Sequence, residues 1–406
     1  MNRPRYLAQI ETQLRVHPVC AILGPRQVGK TTLAQEYAKK FSIDAYFFDL
    51  EDPIDVARLE NPMTALTVLS HQLIVIDEIQ RMPELFPILR VLVDREKRKR
   101  KYLILGSASR DLIRQSSSFA SRKASLATAD MSETLAGRIG YIELPPFTLM
   151  EKTESKKLWV RGGFPLSYLA DSDDDSMIWR RDYITTFLER DIPTLGFNVP
   201  AELMRRFWMM LAHYHGQIFN ASELSRSLGI SQHMVRKYLD ILAGTFMVRI
   251  LLPWFENIQK RQVKMPKVYF RDSGILHTMS GIENYDQLQR FPKLGSYWEG
   301  FALEEVIRAL GLVSEECFFW GTHGEAELDL LVTRQGKRIG FEFKYMDAPR
   351  TTKSIHSALE DLKLDHVVIV YPGNKSFPLS DKVTVCGLEL IATGEFQKVL
   401  TEILGR

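Results

Sequence analysis

The chain has 406 residues, 45% of them hydrophobic and 25% charged, with a formal net charge of +3. That length exceeds one ordinary hydrophobic core, so two or three domains are expected, and a whole-chain charge so near balance decides nothing about nucleic acid. No apolar run approaches the roughly 18 residues of a membrane span, the opening MNRPRYLAQIETQ has no export-type apolar region, and the three cysteines Cys20, Cys317 and Cys386 suit neither a zinc pattern nor a disulfide framework. A cytoplasmic protein with no membrane partner is the expectation.

The first predicted strand, VCAILG, ends in Gly24, and from there GPRQVGKT fits G-x-x-x-x-G-K-[ST] ahead of the helical TLAQEYAKKF. Glycines at those positions let backbone N–H groups curl around a β-phosphate, so Gly24, Pro25, Arg26, Gln27, Val28 and Gly29 are expected to cradle it. Lys30 reaches the β- and γ-phosphates, the Thr31 hydroxyl takes a Mg²⁺ position, and Thr32 completes the binding run. A second strand, QLIVIDEIQ, delivers Asp77 and Glu78 to its C-terminal edge. This is a Walker B pattern: Asp77 holds Mg²⁺ through water and Glu78 polarises the attacking water. A third strand, YLILGSAS, ends in Ser107 and Ser109, which fit either a γ-phosphate sensor or ordinary helix caps. No Asn-Lys-x-Asp guanine motif is present, so the cofactors expected are ATP and Mg²⁺.

The segments GPRQVGKTTL, IVIDEIQRMPELFPILRVLVD, ILGSAS, ETLAGRIGYIELPPFTLME, RGGFPLSYL and YITTFLERDI resemble the motif series of a prokaryotic AAA-type P-loop ATPase family. In that family the ATPase precedes a C-terminal domain of unknown function with a restriction-endonuclease-like, PD-(D/E)xK core. The resemblance implies an α/β protein with a five-stranded P-loop sheet, and makes Arg138 an arginine finger or sensor; from the residues alone, Arg138 fits a structural salt bridge equally well. Between Leu112 and Ser132 the chain is longer and richer in serine than that pattern, which suits a surface loop.

The ATPase domain is expected over 1–150 and a helical lid over 151–207, with DSDDDS at 171–176 as an acidic linker or loop. A winged helix is expected over 208–270. There Leu224 and Leu228 share one helix face, Gly229 and Ile230 turn, and Ser231 caps a second helix. Val235, Tyr238, Leu239 and Leu242 fall at i, i+3, i+4, i+7, leaving His233, Arg236, Lys237 and Asp240 outward. Gln232, His233, Arg236 and Lys237 fit DNA contacts, whereas Asp240 opposes a phosphate backbone and fits a packing lid. The basic IQKRQVKMPKVYF that follows also suits a solvated strand.

A nuclease-like domain is expected over 285–406. In GFEFKY strand alternation puts Glu342 and Lys344 on one face, and Asp329 lies on the preceding hairpin strand. Two carboxylates that bind Mg²⁺ beside a phosphodiester, with a lysine that orients or deprotonates water, make the D…E-x-K arrangement. Upstream, the amphipathic SYWEGFALEEVIRALG can supply Glu299 as a third carboxylate. The helix, three strands, helix, strand order matches the nuclease core, although such cores also serve as binding modules.

These features predict an ATP-hydrolysing protein that acts on nucleic acid, DNA above all, with a metal-dependent nuclease-like domain. The alternative is an ATP-dependent switch whose other modules only bind DNA or a protein. An arginine finger acting in trans requires a homo-oligomer.

Overall fold

The computed structural model describes residues 3–95, 100–109, 135–324 and 326–405, and the serine-rich run expected as a surface loop lies outside these. The fold is mixed α/β, in two compact units. One comprises Met1–Pro146, Thr185–Ala201 and Leu239–Met247, the other Phe147–Ile184, Glu202–Tyr238 and Val248–Arg406.

In the first unit five strands, β1 (Val19–Leu23), β2 (Ala45–Asp49), β3 (Leu73–Asp77), β4 (Lys101–Gly106) and β5 (Ile139–Glu143), form a sheet in the order β2-β3-β4-β1-β5. Every neighbouring pair runs parallel. Near-continuous apolar runs suit strands covered on both faces, and all of β1 and the first four residues of β3 are buried. Parallel pairing sends all the C-terminal strand ends to one edge: Leu23 lies beside Gly106 and Glu143, and Asp49 beside Asp77.

In the second unit nine strands form one sheet. They are β6 (Gln217–Ile218), β7 (Val248–Pro253), β8 (Lys267–Phe270), β9 (Cys317–Gly321), β10 (Glu327–Arg334), β11 (Lys337–Phe343), β12 (His366–Tyr371), β13 (Ser376–Ser380) and β14 (Val383–Gly387). Their order is β13-β14-β12-β11-β10-β9-β7-β8-β6. Trp320, Leu328, Leu331, Ile355, Val367, Ile369 and Val385 pack together as a buried hydrophobic core. The order helix Leu294–Leu310, β9, β10, β11, helix Lys353–Asp361, β12 is the one expected from the sequence. The pairing of β7 with β9, Leu252 beside Phe318 and Pro253 beside Phe319, puts the segments 208–270 and 285–406 into one sheet rather than two domains.

The acidic run is also more structured than a linker. Asp173, Asp174 and Asp175 form the first turn of helix Asp173–Thr186, where carboxylates oppose the positive end of the helix dipole, and Ser172 Oγ accepts the Asp175 N–H at 3.0 Å. The helix pair follows the sequence closely. The Asn220 side chain caps Ala221–Leu228, Gly229 takes the left-handed conformation at φ 68°, and Ser231 Oγ accepts the Met234 N–H at 3.2 Å. In helix Gln232–Gly244, Val235, Tyr238, Leu239 and Leu242 are buried while Gln232, His233, Arg236 and Asp240 are exposed.

Candidate functional site

At the C-terminal edge of the first sheet, the P-loop leaves β1 through Gly24, where an added Cβ would meet the Leu144 carbonyl at 2.2 Å, so only glycine fits. It enters helix Lys30–Lys40 through Gly29, left-handed at φ 89°. Gln27 and Glu78 are also left-handed, at φ 63° and 55°, strain that collects where backbone must meet a ligand.

Lys30 is 5% exposed. Its Nζ donates to the Gly24 carbonyl at 3.0 Å, the Pro25 carbonyl at 2.9 Å and Ser107 Oγ at 3.0 Å. Burial lowers its pKa, partly offset by Glu78 and Asp77. Thr31 Oγ1 donates to Asp77 Oδ2, and the Asp77 carboxyl is raised by burial against the pull of that bond. Glu78 Oε1 accepts from Ser107 Oγ at 3.0 Å, and Oε2 accepts from Gln80 Nε2. Lys30, Thr31, Asp77, Glu78 and Ser107 therefore meet in one place.

Arg26 forks between Asp191 Oδ1 and Glu51 Oε2, both at 2.8 Å. Burial would lower its pKa, but these acids outweigh it and the guanidinium stays charged. Asp191 closes a π-helical turn, Phe187–Asp191, a geometry frequent at functional sites. Glu51 also takes Arg81 at 3.0 Å and Arg190 at 3.1 Å.

Arg138 is not brought to this site. It precedes β5, at the opposite edge of the sheet, roughly 16 Å along a five-residue strand at ~3.3 Å per residue. Its Nε pairs with Asp94 Oδ1 at 2.8 Å on the surface.

In the second unit, β10 and β11 pair with Leu330 beside Phe341, so the next step of the register sets Asp329 across from Glu342. Asp329 Oδ2 accepts the Phe343 N–H at 2.9 Å, and Glu342 Oε1 accepts from Lys344 Nζ at 2.7 Å. Glu342 is 4% exposed and its Oε2 is buried without a hydrogen-bond partner. Glu299, from helix Leu294–Leu310, accepts from Tyr269 Oη at 2.7 Å and lies 3.8 Å from Lys267 Nζ, which also pairs with Glu327.

Four carboxylates, Glu299, Glu327, Asp329 and Glu342, thus share two ammonium groups. Burial, with Asp329 adding repulsion, raises the Glu299 and Glu342 carboxyls; burial also raises Asp329 against the pull of Lys267 and Lys344. Burial would lower the Lys344 ammonium, but Glu342 and Asp329 outweigh it and raise it. Lys267, Tyr269 and Glu327 were not singled out from the sequence, and an ordinary charged strand gives no local signal that they belong here.

Residues 16–128 match the AAA domain family, and 152–286 and 294–391 match two families each described as a domain of unknown function. With the phosphate-binding loop and the acid-ended β3, the first match defines an AAA-type P-loop ATPase. A Mycobacterium bovis protein and a Mycobacterium tuberculosis protein, both titled uncharacterized, are each 47% identical to this chain over 396 residues, covering 97% of it and 85% of their own length. The chain belongs to the family of these two mycobacterial proteins.

Among solved structures, a Walker-type ATPase of Pyrococcus abyssi is similar at a TM-score of 0.44 and 14% identity, covering 69% of this chain and 95% of its own. The RuvB Holliday junction branch migration motor of Thermotoga maritima is similar at 0.28 and 17%, covering 61% and 89%. Among the described residues, no helix is long and apolar enough to cross a membrane.

Proposed function

We propose that this ATPase acts on nucleic acid, DNA above all, and that its second unit hydrolyses a phosphodiester at Asp329, Glu342 and Lys344. The observation that carries the reading is the Glu342 carboxylate, buried and paired on one oxygen with Lys344 while the other has no partner. A buried, half-satisfied carboxylate beside a second acid is costly, and such groups cluster at working sites.

At the P-loop the oxygen donors of Thr31 and Asp77 suit Mg²⁺. There Lys30 offsets the charge of the β- and γ-phosphates, and Glu78 polarises water once it leaves Ser107 and Gln80. A finger role for Arg138 belongs to a neighbouring copy in a homo-oligomer, because in its own subunit it sits at the wrong edge of the sheet.

At the second cluster Asp329 and Glu342 supply oxygen donors of the type that holds Mg²⁺ or Mn²⁺, with substrate and water oxygens completing the set. Among the described residues no group of three or more His, Cys, Asp or Glu side chains is arranged to hold a metal. A bound cation would supply charge for the developing phosphorane and lower the pKa of the attacking water. Lys344, whose charged form is favoured by its acidic neighbours, is placed to orient the attacking water and offset charge.

A second reading, a module that binds DNA or a protein without cutting, is favoured by Lys267, whose ammonium already neutralises Glu327 and Glu299 where a metal cation would otherwise do so. The deciding experiment is cleavage of single- and double-stranded DNA and RNA with Mg²⁺ or Mn²⁺, with and without ATP. Wild type is expected to cut, Asp329→Ala and Lys344→Ala to be inactive, and Lys30→Ala to lose ATP hydrolysis. ATP hydrolysis without cleavage of any substrate supports the binding-only reading.

A further inference from the structure

The second unit contains a cavity of about 510 Å³ that neither site above uses, lined by Lys156, Trp159, Tyr285, Trp298, Tyr345 and Asp347 among others. A cleft of that volume, partly open to solvent, falls in the range of small-molecule sites. Its walls are flat and aromatic. The Tyr345 ring centroid lies 5.5 Å from that of Trp159 and 5.9 Å from that of Trp298.

The polar groups are few and specific. Lys156, exposed on helix Ser155–Arg161, holds its ammonium 3.6 Å from the Tyr285 ring centroid. Trp159 is 4% exposed and its indole Nε1 is buried, so the residue contributes apolar ring surface to the wall. Asp347 adds an exposed acceptor. Two wall residues are chain neighbours of the acid–lysine cluster: Trp298 precedes Glu299, and Tyr345 follows Lys344, so their Cα atoms are ~3.8 Å apart.

We propose that this cavity holds an unstacked nucleobase. Aromatic walls stack on the π-face that every base presents, and the Asp347 carboxylate matches an amino group along a base edge. The Lys156 ammonium at the rim meets a phosphate. A base stacked on the partly exposed rings of Tyr285 and Tyr345 lies next to Lys344, which fixes the strand relative to the acids. The strand source rests on the nucleic-acid reading above; a free nucleotide has the same chemistry.

The test uses the full chain saturated with ADP, so that the P-loop is filled. One probe is 2-aminopurine nucleoside monophosphate; the other is single-stranded DNA with one internal 2-aminopurine. Fluorescence quenching reports stacking, and anisotropy reports strand binding. The strand is expected to bind with its 2-aminopurine quenched. Tyr285→Ala is expected to weaken base capture about 5- to 150-fold, the range of one lost stacking partner, and the exposed Lys156→Ala to weaken it less without disturbing the fold.

A strand that binds with its 2-aminopurine bright and insensitive to both variants overturns the cavity proposal while the nucleic-acid reading survives. Quenching of the monophosphate without strand binding keeps the cavity, assigns it a free nucleotide and removes the nucleic-acid reading. If neither probe binds, both fail.

Discussion

Glu299 and Glu304 stand five positions apart on helix Leu294–Leu310, facing different sides, and their environments are opposite. Glu304 is 2% exposed and meets three arginines: Arg249, Arg308 at 3.3 Å and Arg271 at 3.6 Å. Burial alone would raise its carboxyl, but these guanidinium groups hold it down at about 2. Glu299 faces Asp329 and Glu342, and burial with acidic neighbours raises it. The same helix therefore carries one acid whose charge is fully answered and another whose charge is not. The first fastens the unit; the second keeps electrostatic energy that only a proton or an added cation relieves.

The largest effect expected from breaking this contrast is at the fastened end. Glu304→Gln removes the acid that Arg249, Arg271 and Arg308 share, although Arg308 keeps Glu305 at 3.3 Å, and is expected to cost about 3 to 5 kcal/mol, measured as a lost or strongly lowered unfolding transition of the second unit. An unchanged transition would show that the arginines find other acceptors.

The opposite sign is expected at Glu342. Its raised pKa means that the folded state holds the proton more tightly than the unfolded chain. The stability it contributes is present below the ordinary carboxylate pKa and is lost as pH rises through the raised one. Glu342→Gln is therefore expected to raise the melting temperature at pH 8 and to flatten its decline between pH 5 and 8. Glu304 behaves in reverse: its contribution is present above the ordinary range and is lost as pH falls toward 2. Added Mg²⁺ or Mn²⁺ at pH 8 is expected to raise the wild-type melting temperature more than that of Glu342→Gln. Equal shifts in both would remove the metal reading.

The smallest effect sets the scale for both. Arg138→Ala breaks a surface pair whose side chains are 31% and 51% exposed, and is expected to cost at most about 1 kcal/mol in chemical denaturation and to leave single-subunit ATP binding unchanged.

The phosphate site was legible because its parts are local: the glycines, Lys30 and Thr31 adjoin in sequence, and an apolar run ending in Asp77 and Glu78 fixes where they emerge. Asp329, Glu342 and Lys344 were legible for a similar reason, since one hairpin and strand alternation bring them together. Lys267 and Tyr269 reach the same cluster from β8, and Asp191 reaches Arg26 from 165 residues away; no spacing rule announces such contacts. Arg138 is different. A residue just before a parallel strand must lie at the edge opposite the P-loop, so its placement follows from topology that the sequence already implied.

The β7–β9 pairing has a consequence for modularity. The two segments that match separate families of unknown function share one sheet, so neither is a free-standing part. A fragment cut near residue 290 would bare Leu252 and Pro253 of β7 on one piece and Phe318 and Phe319 of β9 on the other, short backbone edges open to pairing with a foreign strand. Physically these two matches are halves of one folding unit, and they are expected to be inherited, exchanged or lost together.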